Sequence, residues 1–182
     1  MHMKKFLICC SLAVLSASLG CQTMKPIETV SHVDLDRFMG DWYVIANIPT
    51  VFEKNAFNAI ETYRLEEDGT IATTFRFNKG SLDGPVKEYT PRGFVRDRPS
   101  NAVWGMQFIW PFKSEYRIVY LNEDYSTTVI GRTKRDYVWI MSRKPAIPSD
   151  EYDRIVNFLR KQGYQIEKIQ KVPQKDNQAA IK

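Results

Sequence analysis

From Trp42 to Ser142, short segments rich in β-branched and aromatic residues alternate with turn signals at the spacing of an antiparallel all-β domain. The pattern predicts strands near 42–48, 58–67, 70–78, 86–96, 102–110, 115–121, 126–132 and 137–142. Asp68-Gly69, between two alternating runs, is the clearest hairpin signal, because such a pair supports a tight turn with positive φ. Strands joined only by short connections lose their exposed edges most simply by closing on themselves. Of the two architectures such strands can make, a sandwich or a barrel, this favours the closed one, and the expected architecture is an eight-stranded antiparallel up-and-down barrel.

One helix is predicted after the strands. Ser149 is placed to cap it, Asp150 and Glu151 suit its positive end, and Tyr152, Ile155, Val156 and Leu159 form an apolar stripe that ends before Gly163. Such a stripe needs the outside of the barrel to lie against. A short extra strand is expected from Tyr164 to Ile169, followed by a loose polar tail from Pro173 to Lys182.

Alternation along each strand separates two faces. One collects Tyr63 and Leu65, Ile71, Thr73, Phe75 and Phe77, Trp104, Met106 and Phe108, Tyr116, Ile118 and Tyr120, Val129, and Trp139 and Met141. The other includes Arg64, Glu66, Arg76, Asn78, Gln107, Arg117 and Ser142. The first set is expected in the lumen. Glu61 falls on the same inward parity, as a carboxylate near the pocket mouth. Loops at 49–57, 79–84, 110–114 and 132–136 gather at one end of such a barrel. There Val51, Phe52, Phe57, Trp110 and Phe112 supply apolar surface, and Lys54, Lys79, Lys113, Arg132, Lys134 and Arg135 outnumber Glu53, Asp83 and Asp136. The expected mouth is greasy and mildly basic.

Composition narrows the function classes. The 182 residues are 43% apolar and 26% charged, as in one globular domain, and 13% aromatic, which leaves many rings to be housed. A formal charge of +5 includes Lys4 and Lys5 of the leader described below, so the remaining chain is too mildly basic for a dedicated nucleic-acid binder. Beyond residue 20 only His32 and Cys21 represent their kinds, which leaves no disulfide, no His/Cys metal set and no cofactor site in view. No catalytic residue is assigned.

Three motifs then carry a resemblance. Gly40-Asp41-Trp42-Tyr43 opens the first strand, Asn122-Glu123-Asp124-Tyr125 turns between the sixth and seventh, and Arg143 ends the eighth. In that order and spacing they resemble the lipocalins, specifically the bacterial outer-membrane lipoprotein group, over about Val33 to Val172. The resemblance implies a barrel built round a ligand cavity. Strand direction places Gly40, Trp42, Asp124, Tyr125 and Arg143 at one end, where an Arg guanidinium over an indole is a favourable cation–π contact. These residues are expected to close the floor, and Tyr63, Phe75, Phe77, Trp104, Met106, Phe108, Tyr116, Ile118, Tyr120 and Trp139 to contact ligand.

The N-terminus reads as an export signal: Lys4 and Lys5, an apolar run from Phe6 to Leu15, then small residues. That run is too short to span a bilayer. Ser18-Leu19-Gly20-Cys21 resembles a bacterial lipoprotein processing box, which implies lipidation of Cys21, and Gln22 after it implies sorting to the outer membrane. The expected organisation is a signal peptide (1–20), a lipid-tethered linker (21–32), the barrel domain (33–172) and a flexible tail (173–182). The expected function is binding of fatty acids, lysophospholipids or similar amphiphiles at the periplasmic face of the outer membrane, with a homodimer allowed. A filled structural barrel and a carboxylate-based hydrolase are the alternatives; the latter needs two converging acids, of which alternation supplies Glu61.

Overall fold

The computed structural model describes residues 25–175. After a short helix α1 (Leu35–Phe38), strands β1 (Gly40–Ile48), β2 (Ala56–Leu65), β3 (Thr70–Lys79), β4 (Val86–Tyr89), β5 (Arg92–Val95), β6 (Val103–Ile109), β7 (Phe112–Leu121), β8 (Thr127–Gly131) and β9 (Val138–Ser142) follow in order. Each pairs antiparallel with its neighbours, and β9 pairs back onto β1, which closes the barrel. β4 and β5 both pair with β3 and together form the fourth wall, the predicted 86–96 strand broken at Thr90-Pro91. Proline has no N–H to donate to a ladder, and the Pro91 carbonyl still accepts from the Thr73 amide at 3.2 Å.

Helix α2 (Ser149–Lys161) lies outside the barrel, as its stripe demands. Ile155 and Leu159 are buried against Ile45, Val119, Val129 and Ile140. Burial of two such side chains contributes about 1.5 to 3 kcal/mol each. Pro148, not Ser149, holds the N-cap position, and no side chain caps the helix, so Ser149 is its first residue. The segment expected as a strand from Tyr164 is instead a 3₁₀ turn, Ile166–Lys168, and pairing with β1 begins only at β10 (Gln170–Lys171). Before it, the Tyr164 hydroxyl accepts from the Arg132 amide at 2.9 Å, and a Cβ on Gly131 would lie 2.7 Å from that oxygen. Gly131 is therefore required by close approach.

Both flanks are more ordered than the sequence suggested. Ile27 is buried beside the helix, the Val30 amide donates to Ile118 O at 3.0 Å, and Arg117 donates to Ile27 O at 3.1 Å, so the linker is packed on the barrel from residue 25. At the other end Gln174 is buried and donates to Val44 O and Ala59 O, so the chain is not loose at Pro173. Cys21, the leader and residues 176–182 lie outside the described residues.

Candidate functional site

The closed end is built from α1 and the three motifs. Phe38 is fully buried among Trp42, Tyr63 and Trp104, at ring-centroid separations of 5.0, 5.7 and 5.5 Å. The Trp42 indole N–H donates to Phe38 O at 2.9 Å. Arg143 places its guanidinium carbon 3.8 Å from the centre of the Trp42 ring and donates to the carbonyls of Asp41, Arg37, Phe38 and Met39 at 2.7 to 3.0 Å. Gly40, with φ of 91°, lets the strand start under that guanidinium. Tyr125 accepts from the Asp34 amide at 2.9 Å and carries Arg37 over its ring at 4.0 Å, and Asp124 holds the turn by accepting from the Ser126 amide at 3.0 Å. The floor is a plug made by these contacts.

Above it lies a cavity of about 610 Å³, open at the end where the β1–β2, β3–β4, β6–β7 and β8–β9 connections meet. Phe75, Met106, Phe108, Tyr116 and Trp139 line it as expected. Tyr63, Phe77, Trp104 and Ile118 point inward too but belong to the packed layers beside and beneath it: Phe77 stacks at 6.2 Å on Tyr89, and Trp104 at 4.9 Å on Tyr116. Tyr120 and Val129 are corrections. A register shift between Ile118 and Tyr120 inserts one residue, so that both face the helix, and Tyr120 packs 6.0 Å from Phe158. Ile130 takes the inward place on β8.

The charged side chains of this cavity are mostly acidic. Glu61 is buried, and the one hydrogen bond of its carboxylate among the described residues is accepted from the Tyr63 hydroxyl, which pairs at 2.8 Å with the Tyr116 hydroxyl. Burial pushes the Glu61 carboxyl up to about 7, with the Tyr63 hydrogen bond pulling it down and the charge of Glu53 adding to the rise. Burial, with the charge of Glu61, also lifts both phenols well above their ordinary value. Sequence reasoning left Glu53 on the rim. The turn after β1 folds it inward, where it accepts from the Trp139 indole at 3.0 Å and from the Thr50 amide at 2.9 Å. Its carboxyl too is raised by burial, against those hydrogen bonds.

The basic mouth is a further correction. Of its six expected cations only Arg132 lines the cavity. Lys79 donates to Lys54 O at 2.5 Å, Lys113 stands 3.3 Å over Phe94, and Arg135 binds carbonyls of Gln162, Lys25 and Thr133. The mouth is nonetheless greasy: Val51, Phe52, Phe108, Ile109, Phe112 and Trp110 are exposed, the last at 81%. Phe57 is half-buried and does not line the cavity. Among the described residues no group of three His, Cys, Asp or Glu is arranged to hold a metal ion, and no helix is long and apolar enough to cross a membrane.

The family model of the lipocalin-like domain matches residues 33–174. The chain is a lipocalin. Temperature-induced lipocalin-1 of Arabidopsis thaliana is 31% identical over 84% of this chain and 85% of its own length. The outer membrane lipoprotein Blc of Citrobacter freundii is 29% identical over 80% of this chain and 81% of its own. Among solved structures, insecticyanin from the tobacco hornworm Manduca sexta superposes with a TM-score of 0.63 at 14% identity, covering 80% of this chain and 83% of that one, and shares the fold. An open, largely apolar cavity in this lipocalin is a site for a small hydrophobic ligand.

Proposed function

We propose that this lipocalin binds amphiphilic lipids, fatty acids or lysophospholipids, for storage or transport at the bacterial outer membrane. The observation that carries the reading is the 610 Å³ cavity closed by an Arg143–Trp42 floor and walled by Phe75, Met106 and Tyr116. Each methylene of an acyl chain buried there contributes about 0.8 kcal/mol, so a chain alone gives affinity with little demand on shape. Because Arg132 alone of the six expected cations lines the cavity, together with Glu53 and Glu61, a lysophospholipid suits it better than a free carboxylate does.

Anchoring through a lipidated Cys21, after removal of residues 1–20, would hold the barrel at the periplasmic face of the membrane. The relatives named outer membrane lipoprotein Blc support that location. The action is equilibrium binding and release, with no bond made or broken.

Extraction of the purified protein with organic solvent, followed by mass spectrometry, tests the reading. An acyl lipid recovered in near-stoichiometric amount is the expected result. An empty extract, together with no uptake of lysophospholipid on incubation, would favour a barrel without a ligand. Hydrolysis of the added lipid would instead favour the carboxylate hydrolase, for which Glu53 and Glu61 share one cavity.

A further inference from the structure

The cavity carries more carboxylates than an acyl chain requires, and a further buried hydroxyl unpartnered among the described residues. Glu53, Glu61, Glu88 and Glu115 line it against Arg132 alone. Two of these five have a charged partner: Glu115 pairs with Arg117 at 3.0 Å and accepts from Thr133, and Arg132 pairs with Asp136 at 3.4 Å, although its buried Nε has no hydrogen-bond partner among the described residues. Glu88 is exposed on β4. Glu53 and Glu61 remain, and among the described residues neither has a cationic partner. Buried carboxylates are ordinarily paired, and two that feel each other's charge are costly to keep ionised together.

A second observation is independent of charge. Thr73, 3% exposed, lines the same cavity opposite Tyr63 on the neighbouring strand, and its hydroxyl oxygen has no hydrogen-bond partner. Buried hydroxyls are rarely left so. The two carboxylates and this hydroxyl together suit a group that supplies several N–H donors and carries positive charge.

We propose that the cavity holds, at Glu61, Glu53 and Thr73, a subsite for an ammonium group, so that this lipocalin takes amphiphiles bearing an amine in preference to chain-matched carboxylates. The inference rests on the lipid-binding reading above and specifies its ligand class. An ammonium offers three donors and no acceptor, which matches two carboxylates and a hydroxyl oxygen. The rings of Tyr116 and Trp139 line the cavity and add faces on which a cation is favourable. A carboxylate in the same place meets two acids, and an alcohol satisfies the hydroxyl while leaving the charge unanswered. The Tyr63 hydroxyl, bonded to Glu61 and to the Tyr116 hydroxyl, holds the acceptor in position.

Three ligands with one chain separate these cases: dodecylammonium, dodecanol and dodecanoate, each below its micelle concentration, displacing a fluorescent acyl probe from the purified protein at neutral pH. The amine is expected to bind about tenfold tighter than the carboxylate or more, with the alcohol between them. In the double variant Glu53→Gln, Glu61→Gln that difference should vanish while dodecanol affinity stays within about twofold, which also shows that the variant is folded. Dodecanoate binding as tightly as the amine, or a preference that survives in the double variant, would overturn the subsite and leave lipid binding standing. Binding of none of the three would overturn both.

Discussion

The guanidinium of Arg143 lies over the indole of Trp42, its carbon 3.8 Å from the ring centre, while its N–H groups bind four carbonyls from α1 to the start of β1. One side chain just past the last barrel strand thus ties down the first. Loss of charge-assisted hydrogen bonds to partly buried carbonyls, together with a cation–π contact, predicts that Arg143→Ala lowers stability by about 2 to 4 kcal/mol. Ligand affinity should stay unchanged, because the cavity opens at the far end. Urea melts and binding titrations on the same preparation check both parts.

Glu61 gives stability a pH dependence of unusual sign. Its carboxyl sits at about 7 in the folded barrel against 4.5 in the ordinary case, raised chiefly by burial. The folded state therefore holds a proton that the unfolded chain releases between these values. Stability from this group is full below pH 4.5 and falls as pH rises to about 7, by on the order of 3 kcal/mol. Glu61→Gln removes that dependence. Urea midpoints of variant and wild type, compared at steps from pH 4.5 to 7.5, should move apart in favour of the variant as pH increases. A constant difference would show that Glu61 titrates normally.

The shift between Ile118 and Tyr120 predicts a contrast between near neighbours. Tyr120→Ala should cost about 1 to 3 kcal/mol of stability, from its packing on Phe158, and leave ligand binding intact. Phe75→Ala, on the cavity wall, should weaken acyl binding several-fold. A binding loss confined to Tyr120→Ala would restore the unshifted register.

Closure of the barrel and its floor were legible because both rest on local signals: period-two alternation, turn residues, and motifs whose strand directions bring Trp42 and Arg143 together. Alternation reports a face and not a height along the barrel axis. Tyr63, Trp104 and Ile118 were therefore indistinguishable from Phe75, Met106 and Tyr116, although the first three stand beneath the cavity and the others on its wall. The shift at Tyr120 was hidden because Ile118 and Val119 are apolar and suit either face. Glu53 sits in a turn, where no periodicity applies; its place between apolar Phe52 and the strand to come was the only hint. Helix α1 is four residues long, too short to show a period, and Gln174 looked like tail because its burial depends on the carbonyls of Val44 and Ala59.

Filling of the cavity by an acyl chain is the central claim, and Trp139, on its wall, reports on it directly. Titration of the purified protein with a lysophospholipid below its micelle concentration should change tryptophan emission saturably, at one lipid per chain. Met106→Trp should abolish the saturable phase, since the larger side chain has the cavity itself to occupy. Emission that never saturates in the wild-type protein, or that saturates alike in wild type and Met106→Trp, would contradict the account.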